Sequence, residues 1–334
     1  MTAKNVIIAQ PGGPTAVINN TLRGIILSCT EDTSTFGTIY GGWHGIEGIL
    51  KEELINLSGQ DIKEIEPLRT TNGYGSEAKY WAHNIQKLEQ ENRGSSPADS
   101  VIVTQAMGRK TGFLPAAAQL ADPGREFPLQ IYMAESKISL PEMADNINSF
   151  LKNYGRCIVV VSEGYEAGIP GGIKDAFGHA GYGFAAINVQ QLIVNYLNSV
   201  RLNARGAASE QVPATGQRHS MIHASNTDLE EAFRVGKKTV EIAYIGDKGL
   251  MATLIRQAGP AYNISYVQVP LDIVALSERN FPEKWISQNG CDVTDGFLEY
   301  ARPLIGDEWA SIPLVNGIQR FKNFKPVFAH IKLN

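Results

Sequence analysis

The sequence predicts an α/β protein with doubly wound, Rossmann-like parallel sheets, and three observations support that fold class. Short runs of apolar and β-branched residues recur along the chain, and residues 157–161 are apolar throughout, as expected for a strand buried on both faces. These runs alternate with stretches of helical character, such as Leu140–Tyr154. The first run, residues 6–9, passes through glycines into a helix that starts at Ala16, which is a common opening of such sheets.

The remaining elements follow in order from local apolar patterning, helix caps and turn residues. Predicted strands lie at residues 6–9, 37–42, 100–104, 129–133, 157–161 and 267–271. Predicted helices lie at residues 16–27, 76–91, 111–120, 140–154, 183–198 and 228–245, the last capped by Asn226 or Thr227. The polar, turn-rich stretch 205–216 is predicted to be a loop, and the proline-containing C-terminal stretch is predicted to pack over the surface.

Composition excludes several functional classes. The chain has 334 residues, 43% hydrophobic and 19% charged, and a formal net charge of −4, which argues against a nucleic-acid-binding surface. No apolar run approaches a membrane span, and the N-terminus lacks the features of a signal peptide. The three cysteines, Cys29, Cys157 and Cys291, are far apart and lack metal-binding spacing. We therefore expect a cytoplasmic protein with reduced cysteines and no nucleic-acid or membrane partner.

The glycine turn after the first strand is a candidate phosphate site. Gly12 and Gly13 lie at a helix start, where free backbone N–H groups and the helix dipole favour an anion. The turn matches neither of the common nucleotide-binding glycine motifs, so on these residues alone a tight turn without ligand is an equal alternative.

A second candidate site follows the strand at residues 100–104. Met107, Gly108 and Arg109 lie at its carboxyl end, where open α/β sheets bind ligands, and the planar guanidinium of arginine suits phosphate. On spacing alone, a surface arginine at a strand end is the alternative.

Together with other motifs, this segment resembles the phosphofructokinase family. Met107-Gly108-Arg109 followed by Gly112 and Leu114 is similar to that family's M-G-R-x-x-G-x-L sugar-phosphate motif. Further matches are spread over nearly the whole chain: Gly12-Gly13 with Asn19, Tyr40-Gly41-Gly42 with Gly45, Val159 to Gly164, Asp175 to His179, and Gln217-Arg218. Pro14 and the segment from Asn72 to Tyr80 are most like the pyrophosphate-dependent branch, with an ATP-dependent enzyme as the alternative.

The resemblance implies a function and a set of roles. It implies reversible transfer of phosphate from pyrophosphate to fructose 6-phosphate, giving fructose 1,6-bisphosphate in glycolysis, with Mg²⁺ as cofactor and a homo-oligomer as the assembly. It assigns binding of the sugar substrate to Met107, Gly108, Arg109, Glu163 and Arg218, with Glu163 on a sugar hydroxyl and Arg218 on the sugar phosphate. It assigns donor-phosphate binding to Gly12 and Gly13. Lys79 and Arg69 are further candidates for binding the donor, and Arg201 and Arg205 are candidates for an arginine that reaches across a subunit interface.

The resemblance also implies a division of the chain. Residues 1–135 would form the donor-phosphate lobe and residues 136–302 the sugar-phosphate lobe, with the chain crossing between them, followed by a C-terminal tail at 303–334.

One departure from the family puts catalysis in question. Between Thr71 and Gly73 the family carries a G-G-D loop and a segment with the catalytic Asp, and neither is present in this sequence. The catalytic residue is therefore unknown, one lobe is predicted to be truncated, and strand edges and apolar surface are expected to be exposed.

Three interpretations of this gap remain open. The sequence could lack an internal block that the protein has, the chain could be a catalytically inactive sugar-phosphate-binding or regulatory subunit, or another residue could act as the base. Asp61 is better explained as a helix cap than as that base. The spacing of His219 and His223 suggests one helical face, but two histidines without a third ligand are no metal site, and no metal ligands are predicted.

Overall fold

The computed structural model describes residues 3–10, 16–60, 73–166, 188–259, 261–275, 277, 279–312, 314–319 and 326–329. The strands are β1 (Lys4–Ile8), β2 (Phe36–Gly42), β3 (Leu54–Asn56), β4 (Val101–Ala106), β5 (Leu129–Tyr132), β6 (Cys157–Ser162), β7 (Ala208–Gln211), β8 (Leu250–Arg256), β9 (Ile264–Pro270), β10 (Leu314–Val315) and β11 (Ile318–Gln319). The α-helices are α1 (Ala16–Glu31), α2 (Ile46–Leu50), α3 (Tyr74–Ser95), α4 (Phe113–Ala116), α5 (Leu140–Tyr154), α6 (Val189–Val200), α7 (Asn226–Ile245), α8 (Leu271–Val274) and α9 (Asp295–Ile305). Short 3-10 helices span Ala117–Ala121, Ala214–His219, Met221–His223 and Glu283–Trp285.

The chain divides into two compact units, and each is made of separate chain segments. The first unit contains Met1–Gly73, Arg218–Ser277 and Asp307–Asn334, and the second contains Tyr74–Gln217 and Glu278–Gly306. Both sides of the boundary expected at residues 135 and 136 therefore belong to the second unit. The assignment of residues 1–135 and 136–302 to donor and sugar-phosphate lobes stays a prediction.

The second unit is built on a four-stranded parallel sheet in the order β5-β6-β4-β7. Its two central strands are buried along almost their whole length, so they are apolar on both faces, as the sequence predicted. One face packs against α3, the 3-10 helix Ala117–Ala121 and α9, and the other face packs against α5 and α6. The sheet is thus covered by helices on both sides, which confirms the predicted doubly wound α/β fold.

The connections of this sheet create a switch point between β4 and β6. The chain leaves β4 through α4 on one face toward β5, whereas it leaves β6 through α6 on the opposite face toward β7. Outside the carboxyl ends of two such neighbouring strands, a crevice forms that open α/β sheets use for ligands. Met107 to Arg109 follow β4 and Glu163 follows β6, so the predicted sugar-phosphate residues of this unit meet at that crevice.

The first unit contains a three-stranded sheet and a closely packed pair of helices. Strand β1 is parallel to β2, and β2 is antiparallel to β3. Helices α1 and α7 cross at Gly24 and Gly236, where a Cβ atom on Gly236 would lie only 2.2 Å from the carbonyl oxygen of Thr21. Glycine is required there because the two helix backbones touch.

Two strands of the first unit have exposed apolar residues. In the described part of the chain β1 pairs only with β2, and Ile7 on β1 is 53% exposed. Strands β8 and β9 form a separate antiparallel hairpin on which Ile255 is 50% exposed. Exposed strand edges and apolar surface were expected from the missing block, but the block itself stays a prediction. None of the described helices is long and apolar enough to cross a membrane.

Four sequence-based expectations about local structure were wrong. The stretch 205–216 contains the edge strand β7, whose Ser209 and Glu210 are not buried and so gave no apolar pattern. Strand β8 was not predicted, because partly exposed residues on both sides of the hairpin hide its periodicity. Helix α9 was missed because Pro303, which suggested a tail, lies in its last turn. The N-cap of α7 is Ser225, whose hydroxyl accepts from the Asp228 N–H.

Candidate functional site

The Met107-Gly108-Arg109 loop turns its backbone N–H groups inward onto buried side chains. The N–H groups of Gly108 and Arg109 donate to Oε1 of Glu163 at 3.0 and 2.7 Å, and the Met107 N–H donates to Oε1 of Gln217 at 3.4 Å. Glu163 is only 4% exposed, so its carboxylate is held by these donors in a position that water hardly reaches. The loop is therefore unlike a glycine-rich phosphate loop, because its amides are used by the protein itself.

The inward turn leaves the side chain of Arg109 outside. Arg109 has a φ of 53°, in the left-handed region that non-glycine residues rarely adopt, and Gly108 before it has a φ of 133°. Arg109 is exposed, whereas the neighbouring Glu163 is buried. A phosphate at this end of the sheet would therefore be bound by the guanidinium, which offers paired donors, rather than by the backbone.

Close packing behind the loop fixes the end of β6. A Cβ atom on Gly164 would lie 1.9 Å from the carbonyl oxygen of Arg109, so the two backbone segments touch. The next residue, Tyr165, is 3% exposed and donates its hydroxyl to the carbonyl of Ile138. Burial raises the pKa of Tyr165 to about 12, which keeps this donor protonated at neutral pH. Glu163 is thus followed by two residues that allow little displacement.

The Gln217-Arg218 pair lies in the 3-10 helix Ala214–His219. Gln217 is fully buried and ends a segment of the second unit, and Arg218 begins a segment of the first unit. Arg218 is half-buried, and its buried Nε has no hydrogen-bond partner among the described residues. A buried guanidinium N–H without an acceptor is costly, which fits a group that an anionic ligand would complete.

Sequence reasoning assigned no role to one acidic residue that supports the same region. Oε1 of Glu135, just after β5, accepts from the N–H groups of Gly112 at 3.3 Å and Phe281 at 2.8 Å. It therefore fixes the start of α4, directly after the Met107–Arg109 loop. A carboxylate at the carboxyl end of a parallel strand was the available signal, since such positions meet at one edge of the sheet.

The other predicted site residues fall into two groups. Gly12, Gly13, Asp61, Arg69 and the segment from Asp175 to His179 lie outside the described residues. Lys79 lies within α3 and is 5% exposed, and Arg201 and Arg205 are exposed near the C-terminal end of α6.

The histidine pair does not form a helical face. His219 and His223 lie in two separate 3-10 helices, and Nδ1 of His223 is 2.6 Å from the hydroxyl of Ser220. Within the ranges described, no three His, Cys, Asp or Glu side chains come together as metal ligands. No described residue is therefore assigned as a Mg²⁺ ligand.

Comparison with known proteins identifies the family. The phosphofructokinase family model matches residues 64–243, which is more than half of the chain and includes the crevice between β4 and β6. The chain belongs to the phosphofructokinase family. The matched region contains both Arg109 and Glu163.

The relatives of this phosphofructokinase family member that follow have the same name. Proteins named pyrophosphate–fructose 6-phosphate 1-phosphotransferase from Methylococcus capsulatus and Halomonas elongata are each 26% identical to it. The alignments cover 92% and 96% of this chain, and 93% and 96% of the two relatives. The Methylococcus alignment extends over 397 positions, more than the 334 residues of this chain, so that relative has residues without a counterpart here.

Solved structures agree with the sequence relatives. The crystal structure of a pyrophosphate-dependent phosphofructokinase from Nitrosospira multiformis matches with a TM-score of 0.86 and 26% identity, covering 100% of this chain and 99% of that one. The corresponding protein from Marinobacter aquaeolei matches with a TM-score of 0.85 and 25% identity, covering 99% and 98%. The fold predicted from the motifs is thereby confirmed.

Proposed function

We propose that this protein is a pyrophosphate-dependent phosphofructokinase, which transfers phosphate from pyrophosphate to fructose 6-phosphate. The observation that carries the proposal is the Met107–Arg109 loop, whose amides are bound by Glu163 and Gln217 while the guanidinium of Arg109 is left for the sugar phosphate. The chain aligns over more than nine-tenths of its length with relatives named for this reaction, which supports the choice of donor and acceptor.

The chemistry requires positioning and charge neutralisation more than covalent work by the protein. In phosphoryl transfer, cationic groups hold the phosphates and offset the charge that develops on the transferring group. Arg109 is proposed to bind the phosphate already on the sugar, which orients the acceptor hydroxyl. The family resemblance gives Arg218 a sugar-phosphate-binding role as well. Mg²⁺ would supply charge neutralisation on pyrophosphate when bound. Glycolysis as the pathway, a homo-oligomeric assembly and a cytoplasmic location are further parts of the proposal.

The alternative is a catalytically inactive member that binds sugar phosphate or a partner subunit. The sequence lacks the family's G-G-D loop and catalytic Asp segment between Thr71 and Gly73, which favours this alternative. An inactive member that binds sugar phosphate would use the same residues for the sugar, so it would differ from the enzyme in turnover and not in sugar binding.

A coupled assay separates the two functions. It measures fructose 1,6-bisphosphate formation from fructose 6-phosphate and Mg²⁺ with either pyrophosphate or ATP, on protein whose intact mass matches the 334-residue chain. We expect turnover with pyrophosphate, and Arg109→Ala should raise the KM for fructose 6-phosphate about 10- to 100-fold, because a charge-assisted contact to phosphate is lost.

Arg125→Ala is the matched control. Arg125 also has a positive φ, 56°, but it pairs with Asp292 and Asp295 at the other end of the sheet. It should leave the KM for the sugar unchanged. No turnover with either donor, together with sugar-phosphate binding that Arg109→Ala abolishes, would instead support the inactive alternative. Turnover with ATP alone would refute the choice of donor.

A further inference from the structure

The side chain of Gln217 joins three parts of the second unit. Its Oε1 accepts from the indole N–H of Trp81 on α3 at 3.0 Å and from the Met107 N–H after β4 at 3.4 Å. Its Nε2 donates to the carbonyl of Ala214 at 2.7 Å, within the same 3-10 helix. One amide therefore connects a helix, the end of a central strand and the short helix that leads to Arg218.

The burial of this group decides what it can do. Gln217 and Trp81 are both 0% exposed, so neither can touch a substrate. Gln217 nevertheless contacts the first residue of the Met107–Arg109 loop and is bonded covalently to Arg218. A displacement of its side-chain amide would act directly on the loop, because the Met107 N–H is attached to that amide by one hydrogen bond.

We propose that Gln217, held by the indole of Trp81, is a positioning residue for the sugar-phosphate site. The proposal rests on the proposed function, since it concerns the binding of the sugar phosphate by Arg109. Buried donors strongly favour a fixed acceptor, because a lost partner leaves them unsatisfied. The single oxygen that accepts from both Trp81 and Met107 therefore fixes the loop relative to α3. It thereby also fixes the backbone of Arg109, from which the guanidinium extends.

Two substitutions remove this connection in different ways. Gln217→Met keeps the approximate shape and removes both the acceptor and the donor, whereas Trp81→Phe removes only the indole N–H and some ring volume. Gln119→Met is the matched control. Gln119 is another buried amide of the same unit, 2% exposed, which donates to the carbonyl of Asp122 and has no described contact with the loop.

The main measurement is the split between KM and kcat. With Gln217→Met we expect the KM for fructose 6-phosphate to rise about 10- to 100-fold, because displacements near 1 Å at a binding site have effects of that size. The KM for pyrophosphate and the kcat of the folded fraction should change much less. Trp81→Phe should raise the same KM about 3- to 10-fold, as expected for one lost hydrogen bond. Gln119→Met should lower thermal stability and leave the KM unchanged.

Two further measurements keep the inference testable if the chain proves inactive. Calorimetric titration with fructose 6-phosphate gives the dissociation constant without turnover, and it should follow the same order among the variants. Hydrogen exchange of the peptide containing Met107 to Arg109 should accelerate in Gln217→Met and Trp81→Phe but not in Gln119→Met.

The outcomes separate this inference from the proposed function. Loss of turnover in the unaltered chain, with sugar-phosphate binding retained and weakened by Gln217→Met, would refute only the proposed function. Unchanged sugar affinity and unchanged loop exchange in folded Gln217→Met would overturn the positioning role. Sugar affinity that falls equally in Gln119→Met would overturn it too, because a general loss of stability would then explain the effect. No binding of fructose 6-phosphate by the unaltered chain would overturn both.

Discussion

Gly164 offers the sharpest test of how the candidate site is held together. Its backbone does not have a positive φ, so alanine could adopt the same conformation, and its N–H, which donates to Ser162 Oγ at 3.2 Å, would be retained. The difficulty is space alone. The Cβ of Gly164→Ala would lie 1.9 Å from the carbonyl oxygen of Arg109 and 2.7 Å from its carbonyl carbon. Both atoms belong to the backbone and cannot rotate away.

The size of the effect follows from this distance. Cβ atoms in real proteins essentially never lie closer than 3.0 Å to such an oxygen, so the Arg109 carbonyl must retreat by at least 1.1 Å. Overpacking of this kind costs about 1–3 kcal/mol of unfolding free energy. The same displacement moves the backbone that carries the Arg109 side chain and lengthens the hydrogen bonds from the loop to Glu163. We therefore expect the KM for fructose 6-phosphate to rise about 100-fold.

Gly206→Ala is a control with the same kind of clash. Its Cβ would lie 1.5 Å from the carbonyl oxygen of Ala98, again between backbone segments, and Gly206 also lacks a positive φ. The contact lies before β7 and β4, at the amino ends of the strands and away from the crevice. Both variants should therefore lose stability in chemical denaturation, but only Gly164→Ala should lose sugar affinity.

The assay combines urea denaturation with calorimetric titration of fructose 6-phosphate, and it does not require turnover. A folded Gly164→Ala protein with unaltered affinity would refute the reasoning, since the loop would then bind sugar phosphate without its observed position. Equal loss of affinity in Gly206→Ala would show that the site responds to any strain in the unit.

Two other predictions test parts of the structure that lie away from the crevice. Ser139→Ala removes the capping box of α5, in which the serine hydroxyl accepts from the Glu142 N–H. It should lower the free energy of unfolding in urea by about 1 kcal/mol and leave sugar affinity unchanged. An unchanged free energy of unfolding would contradict the stabilising role of the cap. Burial raises the pKa of Cys29 and Cys291 to about 11 and raises that of Cys157 strongly. Ellman's reagent at pH 8 should therefore react slowly with the native protein and label three thiols only after denaturation. Rapid labelling of the native protein would contradict the buried positions of the cysteines.

Much of the second unit could be predicted from the sequence because its strands are buried on both faces. Residues 157–161 are apolar at every position, and this pattern survives in the observed strand Cys157–Ser162. Helix α5 was predicted with its observed bounds because its Ser139 cap, first-turn Glu142 and final Gly155 are local signals. Edge strand β7 lacks such signals, since its polar residues face solvent and its pairing with β4 depends on residues far away in the chain.

The candidate site was predictable in its residues but not in its connections. Met107 to Arg109 and Glu163 were selected by motif, with Glu163 expected to bind a sugar hydroxyl. The bonds from Gly108 and Arg109 to Glu163 join residues 55 and 54 positions apart, and only the pairing of β4 with β6 brings them together. No spacing in the sequence indicates such a bond. For the same reason Gln217 was noted only as a neighbour of Arg218, although its amide contacts Trp81, 136 residues earlier.

The Met107–Arg109 loop belongs to a different unit from the region where the sequence departs from the family. The four strands, their helices, Arg109, Glu163 and Gln217 belong to the second unit, whereas Arg218, Thr71 and Gly73 belong to the first. Because the loop is bonded to side chains of its own unit, it should keep its position whether or not pyrophosphate is bound. We therefore expect fructose 6-phosphate to bind without pyrophosphate. Its dissociation constant should change less than about threefold when pyrophosphate is added, because a larger change would require a coupling free energy between the two ligands. Calorimetric titration with and without the donor measures this. A sugar that binds only in the presence of pyrophosphate would contradict the expectation that the loop keeps its position without the donor.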